Sequence, residues 1–125
     1  CAWHSSTTYQ ATSLAYAYMP YQPDAGSSCG VNAVNKTTTA YGNGIFDGFS
    51  IVGGHEYAEA VTDPFPTPGS NPAYPQAWND NQGSEVGDLC SSTNNLRTSS
   101  GKTYSVQAEF DNTTGACTTR SWNAP

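Results

Sequence analysis

Two stretches of the chain alternate polar with apolar or aromatic residues at a period of two, and one longer stretch between them does not. "TSLAYAYMPY" (12–21) is rich in tyrosine and predicts a β-strand ended by Pro20 and Pro23. "TYSVQAEF" (103–110) alternates in the same way and predicts another. "FDGFSIVGGHEYAEAVTD" (46–63) predicts the one long helix. Asp47 or Ser50 is expected to cap its start. Pro64 ends it, because the residue before a proline is pushed out of the helical region. Gly53 and Gly54 each cost about 1 kcal/mol against alanine in a helix interior. Accepting both predicts that another backbone, or a bound group, comes close.

The remaining segments read as connections. Residues 24–30 form a turn-rich loop, and 31–44 a short helical turn followed by a loop. Residues 64–76 hold five of the eight prolines and read as an extended loop. Residues 77–90 lead into a cysteine, and 91–102 read as a polar loop. No repeat or linker divides the 125 residues, so one domain, 1–125, is expected. The fold class is α+β: a mixed or antiparallel sheet, one central helix and long loops.

Composition narrows the setting. Charged residues make up only 11 % of the chain, while aromatics reach 12 %, enough for a packed fold. The net charge is −6, and Lys36, Arg97, Lys102 and Arg120 are scattered, which argues against nucleic acid as a partner. No apolar run is long enough to span a bilayer, so no membrane partner is expected. The four cysteines contain no Cys-x-x-Cys pair, against a zinc ribbon or thioredoxin-type motif. Of three possible pairings, Cys1–Cys29 with Cys90–Cys117 is preferred, because it staples each half of the chain within itself. A disulfide-stapled, secreted, extracellular protein follows. Asn35-Lys36-Thr37 and Asn112-Thr113-Thr114 are sequons that fit a glycoprotein. A start at Cys1 is expected for a processed fragment of a longer precursor, a zymogen whose cleaved N-terminal chain is a candidate partner.

The chemistry concentrates in the central helix. At 100° per residue His55, Glu56, Glu59 and Asp63 fall within roughly a 100° arc, and Gly54, Tyr57 and Val61 point the other way. His55 and Glu59 stand at i and i+4, the spacing of the HExxH helix of zinc peptidases with glutamate in place of the second histidine. In that pattern the i, i+4 pair holds Zn²⁺ and the intervening residue, here Glu56, is the general base. A third ligand is needed: Glu85 is favoured, ahead of Asp88, Asp63 and His4. His4 is alternatively a donor to the oxyanion of a tetrahedral intermediate. The competing reading is an ordinary solvated helix face. Against it, six of the ten acids lie in residues 56–88, where no Lys or Arg occurs, so they repel one another unless cations or protons relieve them. Asp80 lies in a stretch that partly resembles an oxygen-rich calcium loop without the EF-hand spacing, so Ca²⁺ is considered only as a second, structural ion.

Four motifs in order resemble the phosphate-induced protein 1 (Exordium-like) family and its short secreted microbial relatives. They are "CAWHSS" leading into "LAYAYMPYQPDAGSSCG", then "FDGFSIVGGHEYAEAVTDP", "GSEVGDLC" and "VQAEFDNTTGAC". The resemblance implies a secreted protein with His4, His55, Glu56, Glu59, Glu85 and Asp88 at motif positions, and a small zincin-like domain. The family tolerates Asn where Asp63 stands, against an essential ligand there. Phe110 replaces the usual Trp, and the long stretch that precedes the first cysteine in the family is missing.

The leading expectation is a secreted zinc-dependent endopeptidase acting on polypeptide. His55, Glu59 and Glu85 would hold Zn²⁺, Glu56 and His4 would be catalytic, and substrate would pair along the "LAYAYMPY" edge. Asp88 would orient a ligand. One alternative is a metal-independent carboxylate acid peptidase, with Glu56 and Glu85 sharing a proton. The other is a non-enzymatic cell-wall module with a structural metal, or one binding glycans through Trp3, Trp78 and Trp122.

Overall fold

The computed structural model describes residues 1–36, 43–67 and 77–119. Their order is β1 (Trp3–Tyr9), β2 (Thr12–Tyr18), a 3₁₀ segment (Gln22–Cys29), a 3₁₀ turn (Gly44–Phe46), α1 (Asp47–Thr62), β3 (Thr93–Arg97), β4 (Thr103–Gln107), β5 (Glu109–Asp111) and β6 (Ala116–Thr118). The strands pair as three antiparallel two-stranded ladders around one helix, an α+β arrangement.

β1 and β2 pair from Trp3↔Tyr18 to Tyr9↔Thr12 across a two-residue turn. Gln10 and Ala11 both take positive φ there, the conformation that matches the strand twist. β2 is exposed along its whole length. A lone hairpin of this kind is marginal in water. It is anchored by the stacked rings of Trp3 and Tyr18, by Tyr16 edge-on to Trp3, and by the Cys1–Cys29 disulfide. The second disulfide joins Cys90 to Cys117, so both expected pairings are present, as an oxidising compartment would produce.

The helix starts at Asp47, but no side chain caps it. The expected caps fail because Asp47 turns inward. Its carboxylate accepts from the backbone amides of Val34 and Asn35, the Asn35 side-chain amide and the Ser105 hydroxyl. Ser50 instead donates back to the Asp47 carbonyl. Burial works against the Asp47 charge, yet the bonds from Asn35, Val34 and Ser105 outweigh it and hold this carboxyl below the ordinary range. Asn95 on β3 joins the network through Asn35.

Three sequence expectations change. The "polar loop" 91–102 contains β3, whose TNNLR run has no alternation to reveal it; pairing with β4 and the Asn35–Asn95 contact create the strand. The "loop" 24–30 lies within 3₁₀ turns, with Gly30 at positive φ closing them. Asn35 is a buried member of the polar network, so it is no accessible glycan acceptor; Asn112 sits in an exposed turn. Most of the proline-rich 64–76 and of the 37–44 loop, together with Arg120 and Trp122, lies outside the described residues.

The close backbone approach occurs at Gly48, not at the predicted pair. A Cβ on Gly48 would run into the Cys29 carbonyl, so the helix start packs directly on the disulfide-closed segment. Gly54 faces open space, and Gly53 meets only the Met19 methyl. The apolar core is small: Ile51, Val52, Val86, Ala108 and one cysteine of each disulfide.

Asp47→Ala removes four hydrogen bonds, and it takes the carboxylate acceptor from the Val34 and Asn35 backbone amides. It is expected to lower unfolding free energy by about 3 kcal/mol, read by denaturant titration. A loss under about 1 kcal/mol would show that water replaces the carboxylate.

Candidate functional site

The acid face of α1 is its buried face. Glu59 is 3 % exposed and Asp63 1 %, whereas Tyr57 is 72 % and Val61 62 % exposed. The solvated-face reading therefore fails for Glu56, Glu59 and Asp63. The helix has its polarity reversed in this half because three other segments bring polar groups against it.

The first is β1. His4 is buried, with Nδ1 3.4 Å from Glu56 Oε2 and 3.7 Å from Glu59 Oε2. Its Nε2 lies 3.3 Å from Glu85 Oε1 and 3.2 Å from the Asp63 carbonyl oxygen. The second is the 85–88 turn. The Gly87 amide donates to Glu59 Oε1 (3.2 Å), and the Glu85 amide donates to Asp88 Oδ2. Asp88 Oδ1 stands 3.6 Å from His55 Nε2, which is 3.1 Å from Glu59 Oε1. The third is β5, which supplies Glu109. A Cβ on Gly87 would sit 2.5 Å from His55 Nδ1 and 3.0 Å from Glu109 Oε2. Only glycine lets the turn pass this close.

Every nominated residue is present in this one cluster, but not in the expected grouping. His55, Glu59 and Glu85 do not form a triad. Two triads exist among the described residues: His4 with Glu59 and Glu85, and His55 with Glu59 and Asp88. Within each, one ligand atom per residue lies within 4.8 Å of the others, so each could hold a cation. Glu85 stands with His4 because the turn reverses between Glu85 and Asp88, sending their side chains to opposite sides of Glu59. Glu109 escaped the sequence reading. The strand alternation that puts Ser105 and Gln107 on one side was its signal, since it continues to Glu109. Ser105 reaches Asp47, and Gln107 donates to the carbonyls of Gly87 and Cys90.

No Lys or Arg pairs with these acids among the described residues. The electrostatic consequence is proton retention. Burial, reinforced by the charges of Glu59, Asp63 and Asp88 and opposed by His4, pushes Glu85 up to about 7. Burial likewise pushes Glu109 up to about 7, against the pull of His55. Burial raises Glu56 while His55 opposes it. The hydrogen bond to Glu59 drives His55 up to about 9, with burial acting the other way. Glu85 Oε1, Glu109 Oε2 and Asp63 Oδ2 are buried without a hydrogen-bond partner.

In the metal-free protein these groups bind protons more tightly when folded. Glu85 and Glu109 rise from 4.5 and His55 from 6.5, so their stabilisation is complete below about pH 4.5. It is lost as pH climbs through about 7 and then about 9. Asp47 acts oppositely, losing its contribution only as pH falls below 3.8. The metal-free Tm is therefore expected to peak near pH 4–5 and fall towards pH 9. A metal-free Tm that does not change between pH 5 and 9 would contradict this proton uptake.

No protein-family model, curated protein or solved structure matches this chain.

Proposed function

We propose that the protein is a secreted, zinc-dependent endopeptidase whose cation is held by His55, Glu59 and Asp88. The observation that carries this reading is the arc of buried Glu56 and Glu59 with half-buried His55, closed by the 85–88 turn with no Lys or Arg paired to it among the described residues. Two ligands about 2.0–2.1 Å from a tetrahedral Zn²⁺ lie about 3.3 Å apart. The 3.1 and 3.6 Å separations of His55 Nε2 from Glu59 and Asp88 suit that geometry. The longer one is beyond hydrogen-bond range. A mixed nitrogen and oxygen donor set favours zinc over calcium. Asp88 replaces Glu85 as the third ligand of this set, and its exposure leaves the cation open to solvent and substrate.

A Zn²⁺ held by His55, Glu59 and Asp88 would supply Lewis acidity and lower the pKa of a bound water. Glu56 takes the proton from the attacking water and passes it to the leaving amine. Its burial raises its proton affinity, as a general base working near neutrality requires. His4 Nδ1 orients Glu56 from 3.4 Å. Gly87 holds Glu59 through its amide.

A groove of roughly 450 Å³ runs between β2 and the outer side of α1, lined by Tyr16, Ala17, Met19, Gly53 and Tyr57, with Glu56 in its wall. Among the described residues β2 pairs only with β1, which leaves an edge for an extended peptide. The four-motif resemblance to the phosphate-induced protein 1 family, and the zincin-like fold it implies, belong to this same proposal.

The raised Glu85 and Glu109 favour one rival, a metal-free acid peptidase in which paired carboxyls share a proton. Glu56→Gln discriminates between them. In the zinc enzyme it is expected to cut turnover on an unfolded protein substrate by about 10²–10⁴-fold while metal content stays intact, and chelation abolishes the wild-type activity. Full activity in Glu56→Gln would sink the mechanism. Activity at acid pH that resists chelation would establish the rival.

A further inference from the structure

Glu59 presents its two oxygens to different histidines. Oε1 lies 3.1 Å from His55 Nε2, and Oε2 lies 3.7 Å from His4 Nδ1. It is the shared member of both triads, each of which adds one further carboxylate, Glu85 or Asp88. We propose that the site is dinuclear: Glu59 bridges two divalent cations, one held with His55 and Asp88, the other with His4 and Glu85. This deepens the metal-dependent reading and rests on it.

The second position has its own donors. His4, Glu59 and Glu85 each offer one ligand atom within 4.8 Å of the others, so one nitrogen of His4 can share an ion with both carboxylates. Glu85 Oε1 is buried with no hydrogen-bond partner, an arrangement that is costly for a carboxylate unless an ion occupies the space beside it. Asp63, 1 % exposed, adds a second orphan: its Oδ2 has no partner, its charge bears on Glu85, and its carbonyl oxygen touches His4 Nε2.

Six acids, Glu56, Glu59, Asp63, Glu85, Asp88 and Glu109, crowd around two histidines, with no Lys or Arg paired to them among the described residues. Two-metal hydrolytic sites hold their ions about 3.5–4 Å apart and clamp both the attacking and the leaving group. A single carboxylate with one oxygen on each ion suits that spacing. Glu56, beside His4 and on the same helix as His55, lies within reach of a water between the two positions.

The test is metal stoichiometry together with magnetic coupling, neither of which depends on turnover. The full chain is dialysed to equilibrium against Zn²⁺ for elemental analysis, and against Mn²⁺ for electron paramagnetic resonance. Wild type is expected to hold two equivalents and, with Mn²⁺, to show the spectrum of an exchange-coupled pair. Glu85→Ala and Asp88→Ala are each expected to hold one equivalent and give the six-line signal of an isolated ion. Glu85→Gln serves if circular dichroism shows the alanine variant unfolded. One equivalent in wild type, unchanged in Glu85→Ala, overturns the bridge and leaves the mononuclear enzyme standing. Two equivalents without coupling also overturn it. No bound metal in wild type overturns both the bridge and the metal-dependent reading.

Discussion

The structure depends on one electrostatic constraint: a set of carboxylates is buried on one side of α1, and among the described residues two imidazoles are the only basic side chains paired with it. Burying a charge without a partner is far more costly than any single apolar contact is favourable. Glu56, Glu59 and Asp63 are all buried there. The fold answers by bringing His4 from β1 and the Gly87 amide from the 85–88 turn onto the same oxygens. What remains unmatched is answered by protons, which Glu85, Glu109 and His55 hold more tightly than they ordinarily would.

The rest of the architecture holds these segments in place with little apolar material. The disulfides fix the ends of two loops, and Cys1–Cys29 holds the chain three residues from His4. At the other end of the helix Asp47 is fully satisfied, gathering residues 34–35 and β4 around one carboxylate. The two ends of α1 therefore use acids in opposite ways. Asp47 is ionised and matched by donors, which makes it a structural pin. The acids from Glu56 to Asp63 have fewer donors among the described residues, and Asp63 Oδ2 is left without one. Reversing the helix polarity has a further result: Tyr57 and Val61 turn outward and, with β2, wall a groove that reaches Glu56.

Much of this was legible in the chain. The helix was readable because its boundary is chemical, a proline at 64, and its acid arc because 100° per residue leaves no freedom in which side chains share a face. The Tyr-rich strand and the disulfide pairing followed from alternation and from spacing. β3 was not legible, because TNNLR has no periodicity and becomes a strand only by pairing with β4. Neither was the tight glycine, because sequence shows where glycine is tolerated and not what approaches it; Gly44, Gly48 and Gly87 are crowded, and Gly53 and Gly54 are not.

By itself the sequence determined the cast of the site: two histidines, a run of acids without bases, and the i, i+4 pair on one helix face. Local geometry dictates those, since neighbours along a helix are fixed by its pitch. Only the tertiary structure decided that this face is buried, that His4 sits over it, and that Glu85 and Asp88 part company across Glu59 to serve different histidines. These are relations between segments dozens of residues apart. No local rule specifies them, because they arise from chain packing around charges that cannot be left alone in a low-dielectric interior.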